Sequence, residues 1–460
     1  SSYMYGAMFV HDGRETDSTY RVNDLLQKLE NASRQLGIPL RLIGDGRQQQ
    51  SAASVLSTDT RKMREILQGF KSDGARIVVV VLVRENFYFD VKRFADEICL
   101  PTQCARFGTV KKFPRNYENS LLMKMNMKMG GTNHTLAPRG NIAHDPHVFQ
   151  KPPQSISWLF DEPTMVIGID VNHTELRADG SADESVVAVV ASMDGMLGQY
   201  CAHITCCNAN REPVQSLYES FHALLVAFCA RNNGRFPHNI IVYRDGVADS
   251  QFSSTLSSEH AALRSAVEDF GKTDDFGKIA FVVCQKRHHT RFFYQGAPGQ
   301  EYQNSPVGLC VDAKGFGPDA SNPASAVNRA QMGGTDALGC VVGANLNEFY
   351  LNSHAAVLGT SKPTKYILVR DEIGFKMSEL QLLTFWLTHL YARCTRSVSI
   401  ATPGEYGCVA FSFEYPHLLL VFSVFTLSPI LARLSLRLIF FLSSPLLSFI
   451  HPHSVLRSLG

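Results

Sequence analysis

Residues 75–83 run ARIVVVVLV, an apolar stretch of mostly β-branched side chains with no period of its own. Such a stretch is expected as a strand buried on both faces, as in a parallel sheet covered by helices on either side. Upstream, VNDLLQKLENASRQ (22–35) places Leu25, Leu26 and Leu29 at helical spacing, which predicts a helix with one apolar stripe. The first region, residues 1–140, therefore reads as α/β. Residues 137–157 are rich in Pro, Gly and polar side chains without a period, and the linker is placed there, at about 141–157.

A second region, 158–415, opens with three strand-like runs: MVIGID (165–170), ESVVAVVASMDG (184–195) and GQYCAHITC (198–206). A helix follows, in which Val214, Leu217, Phe221, Leu224, Leu225 and Phe228 keep the 3.6-residue period. NIIVYRD (239–245), KIAFVVCQK (278–286) and KYILVRDE (365–372) read as further strands. Three strands with short connections, a helix and another strand is the order of a ribonuclease-H-like sheet, where carboxylates gather at the ends of neighbouring strands. Residues 313–345, rich in Ala, Gly and Asn, read as a long surface insertion.

Composition narrows the picture in a few places. At 460 residues, 45% hydrophobic and 19% charged, the chain has the balance of a folded protein of two domains. A formal net charge of +2 does not announce nucleic acid, so any basic site must come from local clustering. The eleven Cys are scattered, with no CxxC pair and no Cys/His spacing of a zinc site. A reducing compartment is expected, cytoplasmic or nuclear. No apolar leader is seen at Ser1, and the chain reads as the C-terminal part of something longer.

Residues 418–450 run LLLVFSVFTLSPILARLSLRLIFFLSSPLLSFI, but Pro429, Arg433, Arg437 and Pro445 interrupt every window long enough to span a membrane. No membrane association is expected. Leu, Phe, Ser and Pro share pyrimidine-rich codons, so our hypothesis is that 416–460 is translated intron or shifted frame. Transcript sequencing that placed these codons in a spliced, in-frame exon would refute it.

Two acidic residues stand out by position. Asp170 and Asp245 each end an apolar strand-like run. Alone, either Asp suits a turn or a cap. Together, on strands expected to be neighbours at the centre of one sheet, they suit a divalent-metal nuclease, in which carboxylates converge on ions about 3.5–4 Å apart.

Four further stretches carry a resemblance. IIVYRDGVADSQF (240–252), FVVCQKRHHTRFF (281–293), NSHAAVLGTSKPTKY (352–366) and LYARCTRSVSI (390–400) resemble the PIWI domain of the Argonaute family, in about its order and spacing, over 158–411. The resemblance implies a ribonuclease-H-like PIWI domain with Asp170, Glu212 and Asp245 as catalytic carboxylates, Asp170 and Asp245 holding Mg²⁺ or Mn²⁺. Read without the family, Glu212 is an acid at a helix start that complements the helix dipole. The family's fourth catalytic position, a His two residues before VAF, is Gly407 in ATPGEYGCVAF, and Gly binds no metal. His417 lies where the family has a non-catalytic His.

FYFDVKRFADEICLPTQC (87–104) and LLMKMNMKMGGTN (121–133) resemble the family's MID domain, which holds the 5′ phosphate of a guide strand. The implied phosphate ligands are Tyr88, Lys92, Gln103, Lys124 and Lys128. On a helix Tyr88 and Lys92 share a face. Met123, Met125, Met127 and Met129 alternate with polar residues, a period that by itself suggests a strand, whereas the family implies a helix; either sends Lys124 and Lys128 to one side. Lone Lys pairs at this spacing are usually solvated, but ammonium groups and an amide around one dianion make charge-assisted hydrogen bonds. The family also has an Arg directly after AF, where this chain has Ser412. One gene-model or splicing error would explain both C-terminal departures.

Lys286, Arg287, His288, His354, Lys362, Tyr391, Arg393 and Ser399 match positions that contact guide backbone phosphates, which position a strand without reading its sequence. His288 and His289 are a weak metal pair, since adjacent residues on a strand face opposite ways. The resemblance thus implies an α/β MID domain followed by a ribonuclease-H-like PIWI domain, binding a small guide RNA and a complementary target RNA. Either it cleaves the target with metal ions, or it binds without cutting and acts through silencing-complex proteins. No stretch resembles the family's N-terminal or PAZ domains.

Overall fold

The computed structural model describes residues 3–13, 18–43, 52–136, 154–172, 185–207, 213–247, 252, 256–270, 276–294, 301–312, 334–335, 341–342, 347–356 and 358–410. In the first region β1 (Tyr3–His11), β2 (Leu40–Leu42), β3 (Ala53–Leu56), β4 (Ile77–Leu82) and β5 (Thr102–Arg106) form a parallel sheet. Its order is β2-β1-β4-β5, with β3 also paired to β1. The helices are α1 (Ser18–Gln35), α2 (Thr60–Ser72), α3 (Tyr88–Glu97), α4 (Phe107–Lys112) and α5 (Tyr117–Lys128).

The valine run is β4, and its lack of period has a direct cause. Val79 and Val81 pack with Leu25, Leu29, Leu121 and Met125 of α1 and α5. Val78 and Val80 pack on the opposite face with Met63, Leu67, Val91 and Phe94 of α2 and α3. Both faces are apolar because both are covered.

The methionine-alternating segment is helical, as α5. Its period misleads because the helix is buried on two sides. Leu121, Leu122 and Met125 enter the first core, whereas Met127 turns the other way, toward Tyr200, Ala392 and Tyr406 of the second region. A helix with two buried faces loses the single stripe from which helices are read.

The second region holds an eight-stranded mixed sheet. In chain order its elements are β6 (Thr164–Asn172), β7 (Ser185–Ser192), β8 (Tyr200–Cys207), α6 (Pro213–Arg231), β9 (Asn239–Asp245), α7 (Ala261–Glu268) and β10 (Lys278–Gln285). A hairpin, β11 (Phe293–Tyr294) and β12 (Gln303–Asn304), precedes β13 (Leu309–Asp312). Of the expected insertion, 313–345, the described part is the pair β14 (Gly334–Thr335) and β15 (Val341–Val342). Then come β16 (Asn347–Asn352), β17 (Thr364–Asp371), α8 (Met377–Leu387) and α9 (Thr402–Ala410).

The order is β13-β16-β17-β10-β9-β6-β7-β8. β6, β9 and β10 run parallel at its centre, flanked by antiparallel strands. Ile240 and Val242 of β9 face α6 and α7. Ile241 and Tyr243 face α8 and the segment leading into α9. On the α7 side, buried Arg244 donates from Nε to both Glu259 carboxylate oxygens at 2.9 Å.

Both sheets belong to one compact unit. Asn133 Nδ2 donates to Ala392 O at 2.8 Å and His134 Nε2 to Cys394 O at 3.1 Å. Gln199 Nε2 donates to Thr132 Oγ1 at 2.9 Å. The segment after α5 is therefore tied to the turn before α9, which fixes the first sheet's helix ends against the second sheet.

Candidate functional site

The first cluster is built on the start of β5. Lys92 Nζ donates to Thr102 O at 3.1 Å and to Thr102 Oγ1 at 2.8 Å. Lys128 Nζ donates to the same Thr102 O at 2.7 Å and to Gln103 Oε1 at 2.9 Å. One carbonyl oxygen thus gathers ammonium groups from α3 and α5. Gln103 Nε2 donates to Cys104 O at 2.8 Å, which turns its amide oxygen toward Lys128. Tyr88, one turn before Lys92, lies with its ring centroid 5.6 Å from Lys92 Nζ.

The electrostatics show how crowded this socket is. Burial, and then the charge of Lys92, hold Lys128 well below the ordinary lysine value; Arg393 and Lys124 push the same way. Lys124 is lowered by burial and by Arg393. Burial pushes the Tyr88 phenol up to about 12. Asp96 is raised by burial, against the pull of Lys92 and Lys128. Lys92 and Lys128 thus act on one partly buried carboxylate while Arg393 and Lys124 act on Lys128, an excess of positive charge whose complement is an anion.

Sequence reasoning named Tyr88, Lys92, Gln103, Lys124 and Lys128, and the structure brings them together. It missed Thr102 and Asp96. The signal for Asp96 was present, since it lies four residues after Lys92 on the same helix. The charge of Arg393, which was expected along the guide backbone, also acts on Tyr88, Lys124 and Lys128.

The second cluster lies at the ends of the central strands. Ile169 pairs with Arg244 across β6 and β9, so Asp170 and Asp245 each follow by one residue. Alternation then puts both carboxylates on the face opposite Ile169 and Arg244, which is the α9 side. Gly168 shares that face. An added Cβ there would lie 2.1 Å from Pro403 O, so only a residue without a side chain lets the first turn of α9 sit on β6.

Lys286 follows directly after β10, where Cys284 pairs with Asp245. Its Nζ stands 3.6 Å from Asp245 Oδ2 and 3.5 Å from Glu405 Oε2 of α9. Glu405 was not foreseen; an acid in the first turn of a helix reads as a dipole complement. Glu212 lies outside the described residues. Gly407 lies in α9 and offers no ligand. Among the described residues no group of three or more His, Cys, Asp or Glu could hold a metal ion, and an ammonium stands beside Asp245. These residues alone do not make a two-metal centre.

Arg287 and Lys362 are exposed. His354 is held below its ordinary value by burial, with Glu405 raising it and Lys286 lowering it. Tyr391 packs on Tyr406 with ring centroids 5.2 Å apart, and Ser399 O accepts from Thr364 Oγ1 at 2.5 Å. His288 Nε2 donates to Pro363 O at 2.8 Å. Among the described residues no helix is long and apolar enough to cross a membrane.

Known structures share this arrangement of two sheets. The C-terminal lobe of a budding yeast Argonaute matches with a TM-score of 0.70 and 20% identity, over 90% of this chain and 78% of that one. Kluyveromyces polysporus Argonaute, solved with a guide RNA, matches with a TM-score of 0.66 and 18% identity, over 90% of this chain and 47% of that one. Drosophila Piwi matches with a TM-score of 0.65 and 18% identity, over 89% and 48%. The chain thus spans about half the length of the latter two. The family profile of the Piwi domain matches residues 77–410, from the valine strand to the end of the last described helix, and on that match the chain belongs to the Argonaute/Piwi family.

Proposed function

We propose that this chain holds the 5′ phosphate of a small guide RNA and uses the guide to recognise complementary RNA. The observation that carries this is the socket, in which Lys92 and Lys128 converge on Thr102 O with Lys124 and Arg393 close behind. A phosphate dianion supplies the missing negative charge and accepts their hydrogen bonds. The Tyr88 ring, beside Lys92, offers a face on which the first base stacks. In this reading residues 1–140 act as a MID-like domain and 158–415 as a PIWI domain. Sequence choice passes to base pairing, while Arg287, Lys362 and the neighbouring polar groups touch only backbone. The test is a binding titration with one short RNA carrying either a 5′ phosphate or a 5′ hydroxyl, followed by a complementary and a scrambled target. Equal affinity for the two 5′ ends would refute the reading.

Target binding without cleavage, with silencing carried out by partner proteins, agrees best with Gly407 and with the ammonium beside Asp245. A second reading, target cleavage, is favoured by the juxtaposition of Asp170 and Asp245. In it Asp170, Glu212 and Asp245 would hold Mg²⁺ or Mn²⁺, which would supply an activated water and charge stabilisation. A guide-loaded protein that cuts a labelled target only with added Mn²⁺, and not after Asp245→Ala, would establish the second reading; an intact target would leave the first.

A further inference from the structure

We propose that the β11–β12 hairpin is a stacking platform for an unpaired base of the target strand, with Phe293 as its ring. Resting on the guide-binding reading, this gives the bases that flank the guide duplex a place on the protein. The run RHHTRFFY (287–294) sets cations beside rings, and the rings then divide. Phe292 turns inward, its ring centroid 5.7 Å from that of Tyr350 in β16, and roots the hairpin there. Phe293 and Tyr294 are 54% and 53% exposed, and Tyr302, next to the ladder, is 70% exposed. Three large rings left in water on so short a ribbon mark a surface that a partner covers.

The register separates these rings. Phe293 pairs with Asn304 and Tyr294 with Gln303, so alternation puts Phe293 and Asn304 on one face and Tyr294 and Gln303 on the other. Asn304 is clamped: its Nδ2 donates to Gly359 O at 2.8 Å, and its Oδ1 accepts from Ser361 N at 2.9 Å. The Phe293 face is therefore the one tied to the segment that continues into exposed Lys362. A ring suited to a base and an ammonium suited to the adjoining phosphate thus come from segments fastened to each other.

Charge decides the class of partner. From Lys286 to Val311 the chain holds three Lys and Arg residues and a single acid, Glu301, and Lys362 adds to the excess. Rings set among cations match single-stranded nucleic acid, whose bases stack on a π-face while its phosphates meet the positive charge. In the guide reading the guide's bases are occupied by pairing. The target's flanks are not, and they differ from one target to the next, which a contact tolerant of every base accommodates.

The experiment loads the purified chain with a 5′-phosphorylated guide RNA and offers targets that are fully paired, or that carry a few unpaired nucleotides with 2-aminopurine at one end or the other. Stacking on Phe293 quenches the 2-aminopurine at one end, and that flank tightens target binding by about five- to tenfold, the low end of what one base stacked on a ring contributes. Both effects disappear in Phe293→Ala and persist in Phe293→Trp. They also persist in Tyr294→Ala, whose ring lies on the opposite face. Melting curves check that each variant folds. A normally melting Phe293→Ala that keeps the quenching and the flank's contribution overturns the proposal, as does an equal loss in Tyr294→Ala. Quenching of 2-aminopurine placed in the guide, with none in either flank, overturns the choice of strand. Flanks that neither quench nor tighten binding overturn the nucleic-acid assignment and leave the ring to a protein partner. If 5′-phosphate and 5′-hydroxyl RNAs bind alike, the guide reading fails on its own. A 5′-hydroxyl single strand on the guide-free chain then decides the hairpin: Phe293→Ala must weaken it by about fivefold, and equal binding overturns the platform.

Discussion

Replacing Lys128 by Met separates the socket's function from its stability. The side chain keeps its unbranched shape, one atom shorter, and loses one charge among several like charges. Lys128 donates to Thr102 O and Gln103 Oε1, and Thr102 O retains its bond from Lys92. A bound phosphate loses one charge-assisted hydrogen bond, about 1.5–3 kcal/mol, or roughly a tenfold to 150-fold weaker Kd for a 5′-phosphorylated RNA. A 5′-hydroxyl RNA should lose about threefold or less, since no dianion faces the missing ammonium. The guide-free protein behaves in the opposite sense. Burial and Lys92 already disfavour the Lys128 charge, so exchanging it for a thioether should leave unfolding free energy unchanged or raise it by about 1 kcal/mol. Fluorescence anisotropy with the two RNAs, beside urea unfolding of the free protein, measures both effects. An equal loss for both RNAs, or a protein destabilised by the substitution, would refute the reasoning.

The same group sets a pH dependence. Lys128 is lowered in the folded socket from the ordinary value of 10.5, so across the window between them the unfolded chain binds more protons. Stability of the guide-free protein should then rise with pH over that window. A phosphate restores the proton, so binding should take protons up and weaken as pH rises; calorimetry in two buffers of different ionisation enthalpy checks the sign, and net proton release would contradict it. Away from the socket, Arg244→Met strands Glu259 in the core and should cost about 3–5 kcal/mol, much of it recovered when Glu259 is also made Met, as read by chemical denaturation. Gly168→Ala forces a Cβ into the Pro403 carbonyl and should cost about 2 kcal/mol of stability; an unchanged midpoint would show that α9 does not dock there.

The parts of the fold visible in the sequence were those with one dominant environment. The uniform valines of β4 are apolar on both faces because both faces are covered. β6 and β9, which carry Asp170 and Asp245, showed themselves by apolar runs broken at an acid. α5 did not, because Met125 and Met127 serve two different cores and erase the helical stripe. The socket was largely legible through Lys92, Gln103 and Lys128, although Thr102 joins the two lysines through its backbone carbonyl, which residue type does not reveal. Lys286 stood out in the sequence only by its match to strand-contacting positions, with no sign of its carboxylate neighbours. Its place beside Asp245 follows from β10 pairing parallel to β9, and its tie to Glu405 follows from α9 crossing at Gly168. Both are consequences of topology, which residue spacing alone does not contain.

The central claim is that separate helices deliver their cations to a single phosphate. A crystal of this protein soaked with a nucleoside 5′-monophosphate tests it most directly. The account predicts the phosphate within hydrogen-bonding distance of Lys92, Gln103 and Lys128, with Lys124 and Arg393 turned toward it and the base against Tyr88. A monophosphate bound elsewhere, or these lysines facing apart around an empty socket while the nucleotide sits on another surface, would contradict it.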